Sequence, residues 1–372
     1  MAVNVNDAFF ALLRAGLWEK EVRLSTYEPV DFSAILSLAE EQSVVGLIAA
    51  GLEHVIDKKP AKQDVIQFIG QTLQLEQQNT AMNYFISVLV DKMRVEDIYA
   101  LLVKGQGIAQ CYERPLWRSC GDVDFFLSAD NYKKAKEFLA PLASSVDKEN
   151  TRKKHIGMTI DPWVVELHGS LYCGLSSKIE RVLDEVYQDA FYNGSVRLWN
   201  NDGVNVNLLS VEKDAFYVFT HILQHFYKGG IGIRQICDWC RLLWTYRDTL
   251  DIRKVESQIQ KAGLKTEWKA FWAFAVDYLG LHPEAMPLYS PKKKWKKKSD
   301  RICSFILEVG NFGHNRDMSY YGKYPYVLRK AISLWQRIGD IARHALIFPL
   351  DSLLFLPSIV FNGLSSAVKG EG

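Results

Sequence analysis

The chain has 372 residues, enough for about two to three domains. Its 48% hydrophobic and 24% charged residues describe a soluble globular protein with a sizeable core, which excludes a largely disordered chain. Its 45 basic and 43 acidic side chains leave a formal net charge of +2, which argues neither for nor against an acidic partner, so local runs must be judged singly.

Residues 1–95 read as a helical N-terminal region. DAFFALLRAGLW has apolar residues at helical spacing. The stretch 31–52 reads as one helix, with Asp31 or Ser33 as N-cap and an end near Gly51. From Lys62 the helical pattern runs for many turns, with Gly70 as the sole internal interruption. The opening MAVNVNDAFFALLRAG lacks a basic leader and a cleavage site, so no secretory signal is expected. The six cysteines, Cys111, Cys120, Cys173, Cys237, Cys240 and Cys303, are scattered, several within apolar patterns. They read as reduced core residues of a cytoplasmic protein.

The period changes near residue 98. IYALLVKG reads as a buried strand and QGIAQCYERP as a helix ending before Pro115. DVDFFLS is a second strand, followed by a helix over 129–142 capped by Ser128 or Asp130. HIGMTI and WVVELHGSLY are strand-like runs separated by the turn signal Asp161-Pro162. Residues 195–210 form a candidate hairpin around Asn-Asp-Gly. The order predicts a small mixed sheet with packed helices, an α/β (α+β) core over 96–210. After Ser210 the helical period returns, so 211–372 is read as a helical C-terminal region, with a loop over 282–299 and more helix over 325–348.

The chemistry is concentrated in GDVDFF. Side chains two apart on a strand share a face, so Asp122 and Asp124 point one way while Val123 and Phe125 point into packing. Two neighbouring carboxylates repel, and a divalent cation removes that conflict; hard oxygen ligands suit Mg²⁺. Glu166, between apolar neighbours in WVVELHGSL, is the natural third acid. The alternative is a strand end whose acids cap loop N–H groups or pair with Arg118. Upstream, Gly105 and Gly107 sit where a strand turns into a helix, a place where backbone N–H groups approach a phosphate.

The ordered residues Leu102, Lys104, Gly105, Tyr112, Pro115, Arg118, Gly121, Asp122 and Asp124, then Glu166-Leu167-His168, resemble the signature of the nucleotidyltransferase superfamily that includes DNA polymerase β. Within it the chain is similar to a bacterial branch of nucleotidyltransferase family proteins, and GIRQICDW resembles a further helical element of that branch. Gly105 is followed by Gln106, where the wider superfamily has Ser or Gly. The resemblance implies transfer of a nucleoside monophosphate from ATP or another nucleoside triphosphate to an acceptor, with release of pyrophosphate. It implies Asp122, Asp124 and Glu166 as metal ligands for two Mg²⁺ ions, with Glu166 as ligand or base. Lys104, Gly105, Arg118 and Gly121 are the implied nucleotide contacts. His168, Arg234 and Asp238 are the candidate acceptor pocket, with a structural histidine and a helical ion pair as their plainer readings. A non-catalytic nucleotide-binding or partner-binding member of the fold, and a nucleic-acid-directed transferase, are the alternative functions.

Three features lie outside that constellation. His221 with His225, and Cys237 with Cys240, have zinc-like spacings, but both pairs fall in apolar helical patterns and read as core faces. The lysine run Lys292–Lys298 reads as a solvated loop, with nucleic acid or an anionic membrane as the alternative partner. The apolar stretch 345–361 is interrupted by Pro349, Asp351 and Pro357, so it reads as a packing helix or interfacial segment rather than a membrane span.

Overall fold

The computed structural model describes residues 2–194, 196–311 and 339–357. The first four helices are α1 (Ala2–Trp18), α2 (Phe32–Glu41), α3 (Val45–Glu53) and α4 (Lys62–Val95). The single helix expected over 31–52 is two helices. Asp31 caps α2 by accepting from Ala34 N–H. The chain then reverses at Ser43, which takes φ 56°, while Val44 N–H donates to Ala39 O and Ser43 N–H to Glu40 O. That is a Schellman stop built on serine instead of glycine, so the usual stop signal is missing from the sequence.

α1 and α3 cross with their backbones in contact. A Cβ on Gly16 would lie 1.8 Å from Leu47 O, and one on Gly51 would lie 2.1 Å from Leu12 O. Gly16→Val is expected to force this crossing apart and destabilise the fold by at least about 2 kcal/mol in urea unfolding. A wild-type midpoint would contradict the close packing.

The core follows as β1 (Ala100–Val103), α5 (Gly105–Ala109), β2 (Asp122–Leu127), α6 (Ala129–Leu139), β3 (Ser145–Val146), β4 (His155–Ile160), β5 (Trp163–His168), α7 (Ser177–Tyr192), β6 (Val196–Asn201) and β7 (Val204–Leu209). The helix expected to run from Gln106 to just before Pro115 is shorter. It ends at Ala109 and tightens into three-residue turns, Cys111 N–H to Ile108 O and Tyr112 N–H to Ala109 O. Asn79 on α4 then pins the following loop by donating to Leu116 O and Arg118 O. Ser128 is the cap of α6. No element is predicted for 173–194, where α7 forms behind a Ser176 cap. The hairpin at Asn-Asp-Gly is formed, with positive φ at Asp202 and Gly203.

The strands make one seven-stranded mixed sheet in the order β3-β4-β5-β2-β1-β7-β6. β2 runs parallel to β5 and β1 parallel to β7, and the other pairings are antiparallel. Strand alternation assigns the two faces. Leu102, Val123, Phe125, Val165, Leu167 and Leu208 pack toward Met82, Ile86 and Met93 of α4 and Leu139 of α6. Leu101, Val103, Phe126 and Leu209 face the larger cluster on the other side.

That cluster is built on α8 (Val211–Lys228), α9 (Ile233–Thr245), α10 (Ile252–Ala262), α11 (Lys265–Asp277) and α12 (Lys293–Val309), together with α1 and α3. The expected loop over 282–299 is overturned in its second half, because the lysine run forms the first turns of α12. Trp295, Ser299, Ile302 and Ile306 are its buried face, and within the run only Trp295 betrays that period. Residues 339–347 and 349–357 are largely helical, as expected there; the rest of 325–348 and of 345–361 lies outside the described residues. All six cysteines are free and buried. Among the described residues no helix is long and apolar enough to cross a membrane.

Candidate active site

The parallel register of β2 and β5 pairs Asp124 with Glu166 and Phe126 with His168. Strand alternation then puts Asp122, Asp124, Glu166 and His168 on one face of the sheet. A carboxylate oxygen from each of Asp122, Asp124 and Glu166 lies within 4.8 Å of the others. Asp124 is buried, whereas Asp122 reaches solvent. Asp124 holds the Asp122 carboxyl above its ordinary range, burial adds to the effect, and Lys104 opposes it.

Two basic groups converge on Asp124. Lys104 Nζ lies 2.8 Å from its Oδ1, and His168 Nε2 lies 2.7 Å from the same oxygen. Burial works against the charge on Lys104, but Asp124, then Tyr217, Asp122 and Glu166, outweigh it and raise its pKa. Lys104 sits at φ 58° between β1 and α5, a conformation that costs a side-chain-bearing residue about 1 kcal/mol or more. Glu166 accepts from His155 at 3.1 Å and lies 3.4 Å from His168 Nε2. Burial pushes the Glu166 carboxyl up, but the two histidine contacts prevail and hold it well below the usual carboxylate range.

Arg118 does not pair with the β2 acids. It makes a bidentate pair with Asp238 on α9, Nε to Oδ1 and Nη2 to Oδ2, both at 2.7 Å, and Nη1 donates to Ser119 O. Tyr112 Oη donates to the same Asp238 at 2.7 Å. Arg234, one turn before Asp238, lies 4.0 Å from it and donates through Nη1 to Ser119 O. Its Nε is buried with no hydrogen-bond acceptor among the described residues. Lys104, Gly105, Arg118, Asp122, Asp124, His221, Arg234 and Asp238 line a single small cleft of about 60 Å³ between the sheet and helices α8 and α9.

A protein-family profile described as uncharacterised nucleotidyltransferase matches residues 28–280, more than half of the chain and all of this cleft. The chain belongs to this nucleotidyltransferase family. Searches of curated proteins and of solved structures find no match.

Gly105 takes φ +41°, a conformation that favours glycine, and a Cβ there would make a tight 3.3 Å contact with Cys120 Sγ. Gly121 is exposed and a Cβ there would meet nothing, so it marks an open approach to Asp122. Gln106 turns away from the cleft, buried and donating to Asn79 Oδ1 at 2.7 Å. Residue 106 therefore serves the α5–α4 contact in place of the serine–phosphate contact of the wider superfamily.

The structure adds His155 and His221 to the neighbourhood. Counting outward from the Asp161-Pro162 turn pairs His155 with His168 across the β4–β5 hairpin, a signal present in the sequence. His221 lines the cleft, and its Nε2 lies 3.0 Å from that of His225. Burial and then Lys104 hold both imidazoles below their ordinary pKa, His225 at about 4. Cys237 and Cys240 lie fully buried in α9.

Proposed function

We propose that this cleft transfers a nucleoside monophosphate from a nucleoside triphosphate to an acceptor hydroxyl or phosphate, releasing pyrophosphate. The observation that carries the reading is the convergence of the carboxylates of Asp122, Asp124 and Glu166 from two parallel strands, on the face of the sheet turned toward α8 and α9. The donor set is all oxygen, and the mutual repulsion of Asp122 and Asp124 calls for a cation there, so the residues fit Mg²⁺. Asp122, Asp124 and Glu166 would hold it, with two ions expected alongside a bound triphosphate. When bound, Mg²⁺ supplies charge neutralisation on the triphosphate and lowers the pKa of the acceptor hydroxyl.

The protein's own groups divide the remaining work. Lys104 and His168 fix the Asp124 carboxylate, so its orientation is set before substrate arrives. His155 and His168 keep Glu166 ionised and able to ligate a cation. Arg118 and Asp238 satisfy one another and form the wall that positions Arg234. Arg234 lines the cleft, has a buried Nε–H without an acceptor, and is assigned to a phosphate oxygen.

The test is pyrophosphate release from each nucleoside triphosphate with Mg²⁺ and a metabolite extract as acceptor source. The wild type should release pyrophosphate, and Asp122→Asn combined with Asp124→Asn should not; equal release from both would remove the assignment. Arg234→Gln is expected to raise the KM for the triphosphate about tenfold, the scale of one charge-assisted hydrogen bond, with little change in melting temperature. An unchanged KM would remove Arg234 from the phosphate site.

A further inference from the structure

Residues 339–357 carry four exposed leucines, Leu346, Leu350, Leu353 and Leu354, at 66–73%. Scattered exposed leucines are ordinary, but four from the end of one helix to the middle of the next, over residues 346–354, form a patch. The segment already has a core face. Phe348, Ser352 and Phe355 are buried, and the Phe355 ring lies 5.1 Å from that of Tyr227. The leucines are therefore a second apolar face, and Leu350, Leu353 and Leu354 have the spacing of one helix side.

A basic strip lies directly beside this face. The Arg301 guanidinium donates to Leu346 O and the Lys298 ammonium to Ile347 O. Lys294 and Lys297 stand one turn or so before them on α12, on the same side of the helix. Lys292, Lys293, Lys294 and Lys297 are exposed and make no ion pair among the described residues. Apolar side chains flanked by long basic ones match the two layers of a lipid surface, acyl boundary and phosphate headgroups.

The same features disfavour another occupant. Single-stranded nucleic acid is held by stacking on exposed aromatics, and the run's one aromatic, Trp295, is buried.

We propose that the face formed by Leu346, Leu350, Leu353 and Leu354 with Lys293, Lys294, Lys297 and Arg301 docks on an anionic membrane surface without spanning it. The experiment is co-sedimentation of the full chain with phosphatidylcholine vesicles, with and without phosphatidylglycerol. The wild type should bind the anionic vesicles about tenfold more tightly than the neutral ones, and less so as salt rises. Leu350→Glu with Leu354→Glu should lower anionic binding about tenfold while leaving the melting temperature unchanged, since both side chains are exposed. Lys294→Glu with Lys297→Glu should abolish the preference for anionic vesicles.

Absence of vesicle binding by the wild type would overturn the proposal. So would wild-type affinity in the leucine variant, or a dimer in sedimentation velocity that the leucine variant dissociates. RNA binding without vesicle binding would assign the lysines to a different partner and overturn it as well.

Discussion

Asp122→Asn is expected to abolish nucleotidyl transfer and to leave the fold as stable as the wild type, or slightly more stable, at neutral pH. Asp122 and Asp124 lie in a cluster whose carboxylate oxygens are within 4.8 Å of one another, and Asp124 raises the pKa of Asp122. A carboxyl whose folded pKa is raised loses stability as the pH climbs from its ordinary value of 3.8 through the folded one. Asn removes that repulsion, a gain of less than about 1 kcal/mol because solvent screens Asp122. The same change removes a group assigned to the transition state, and kcat should fall about a thousandfold. Opposite signs in activity and stability are the mark of a group kept for chemistry. Thermal melts at neutral and acid pH, beside turnover, check both. Retained turnover, or a loss of stability like that of a core substitution, would make Asp122 structural.

Arg118→Leu should be the more damaging change to the fold, costing about 3–5 kcal/mol by leaving Asp238 buried without its partner. Against a total stability of about 5–15 kcal/mol this is a large share. Arg118 is 3% exposed and Asp238 4%, so solvent cannot replace the lost pair. Arg118→Lys should recover only part of the loss, because an ammonium cannot make two parallel bonds. Burial pushes the Asp238 carboxyl up, and Arg118 more than reverses this, so its folded pKa lies below 3.8. The pair's contribution is therefore complete above pH 3.8 and is lost as the pH falls through the lower folded value. Urea unfolding from neutral to acid pH should show this acid loss in the wild type and not in Arg118→Leu with Asp238→Leu. If Arg118→Leu melts like the wild type but loses nucleotide binding, Arg118 is a ligand and not a clamp.

The parts of the site set by local rules were legible from the residues. Pleat alternation gives the shared face of Asp122 and Asp124, and the ordered motif brings in Glu166, which the β2–β5 register then sets opposite Asp124. The hairpin follows from Asn-Asp-Gly, and the capping of α2 and α6 from Asp31 and Ser128. What was not legible depends on contacts distant in the chain. Arg118 and Asp238 meet across 120 residues, and no local pattern announces that pairing. Gln106 faces Asn79 because α4 runs beneath α5, which a reading of residues 100–110 alone does not contain. The Ser43 stop and the helix through the lysine run were hidden for a different reason. In each, a residue with a weak signal, Ser43 at positive φ and Trp295 as sole apolar anchor, does what glycine or a full apolar stripe usually does.

Transfer in this cleft would break the bond between the α- and β-phosphates of a nucleoside triphosphate. It is tested most directly by the position of the label. Wild-type protein is incubated with Mg²⁺, a metabolite extract and each triphosphate, labelled once at the α-phosphate and once at the γ-phosphate. The α-label should enter the acceptor, the γ-label should leave as pyrophosphate, and both events should stop in Asp122→Asn. Transfer of the γ-label to the acceptor, or α-label incorporation that persists in Asp122→Asn with Asp124→Asn, would contradict it.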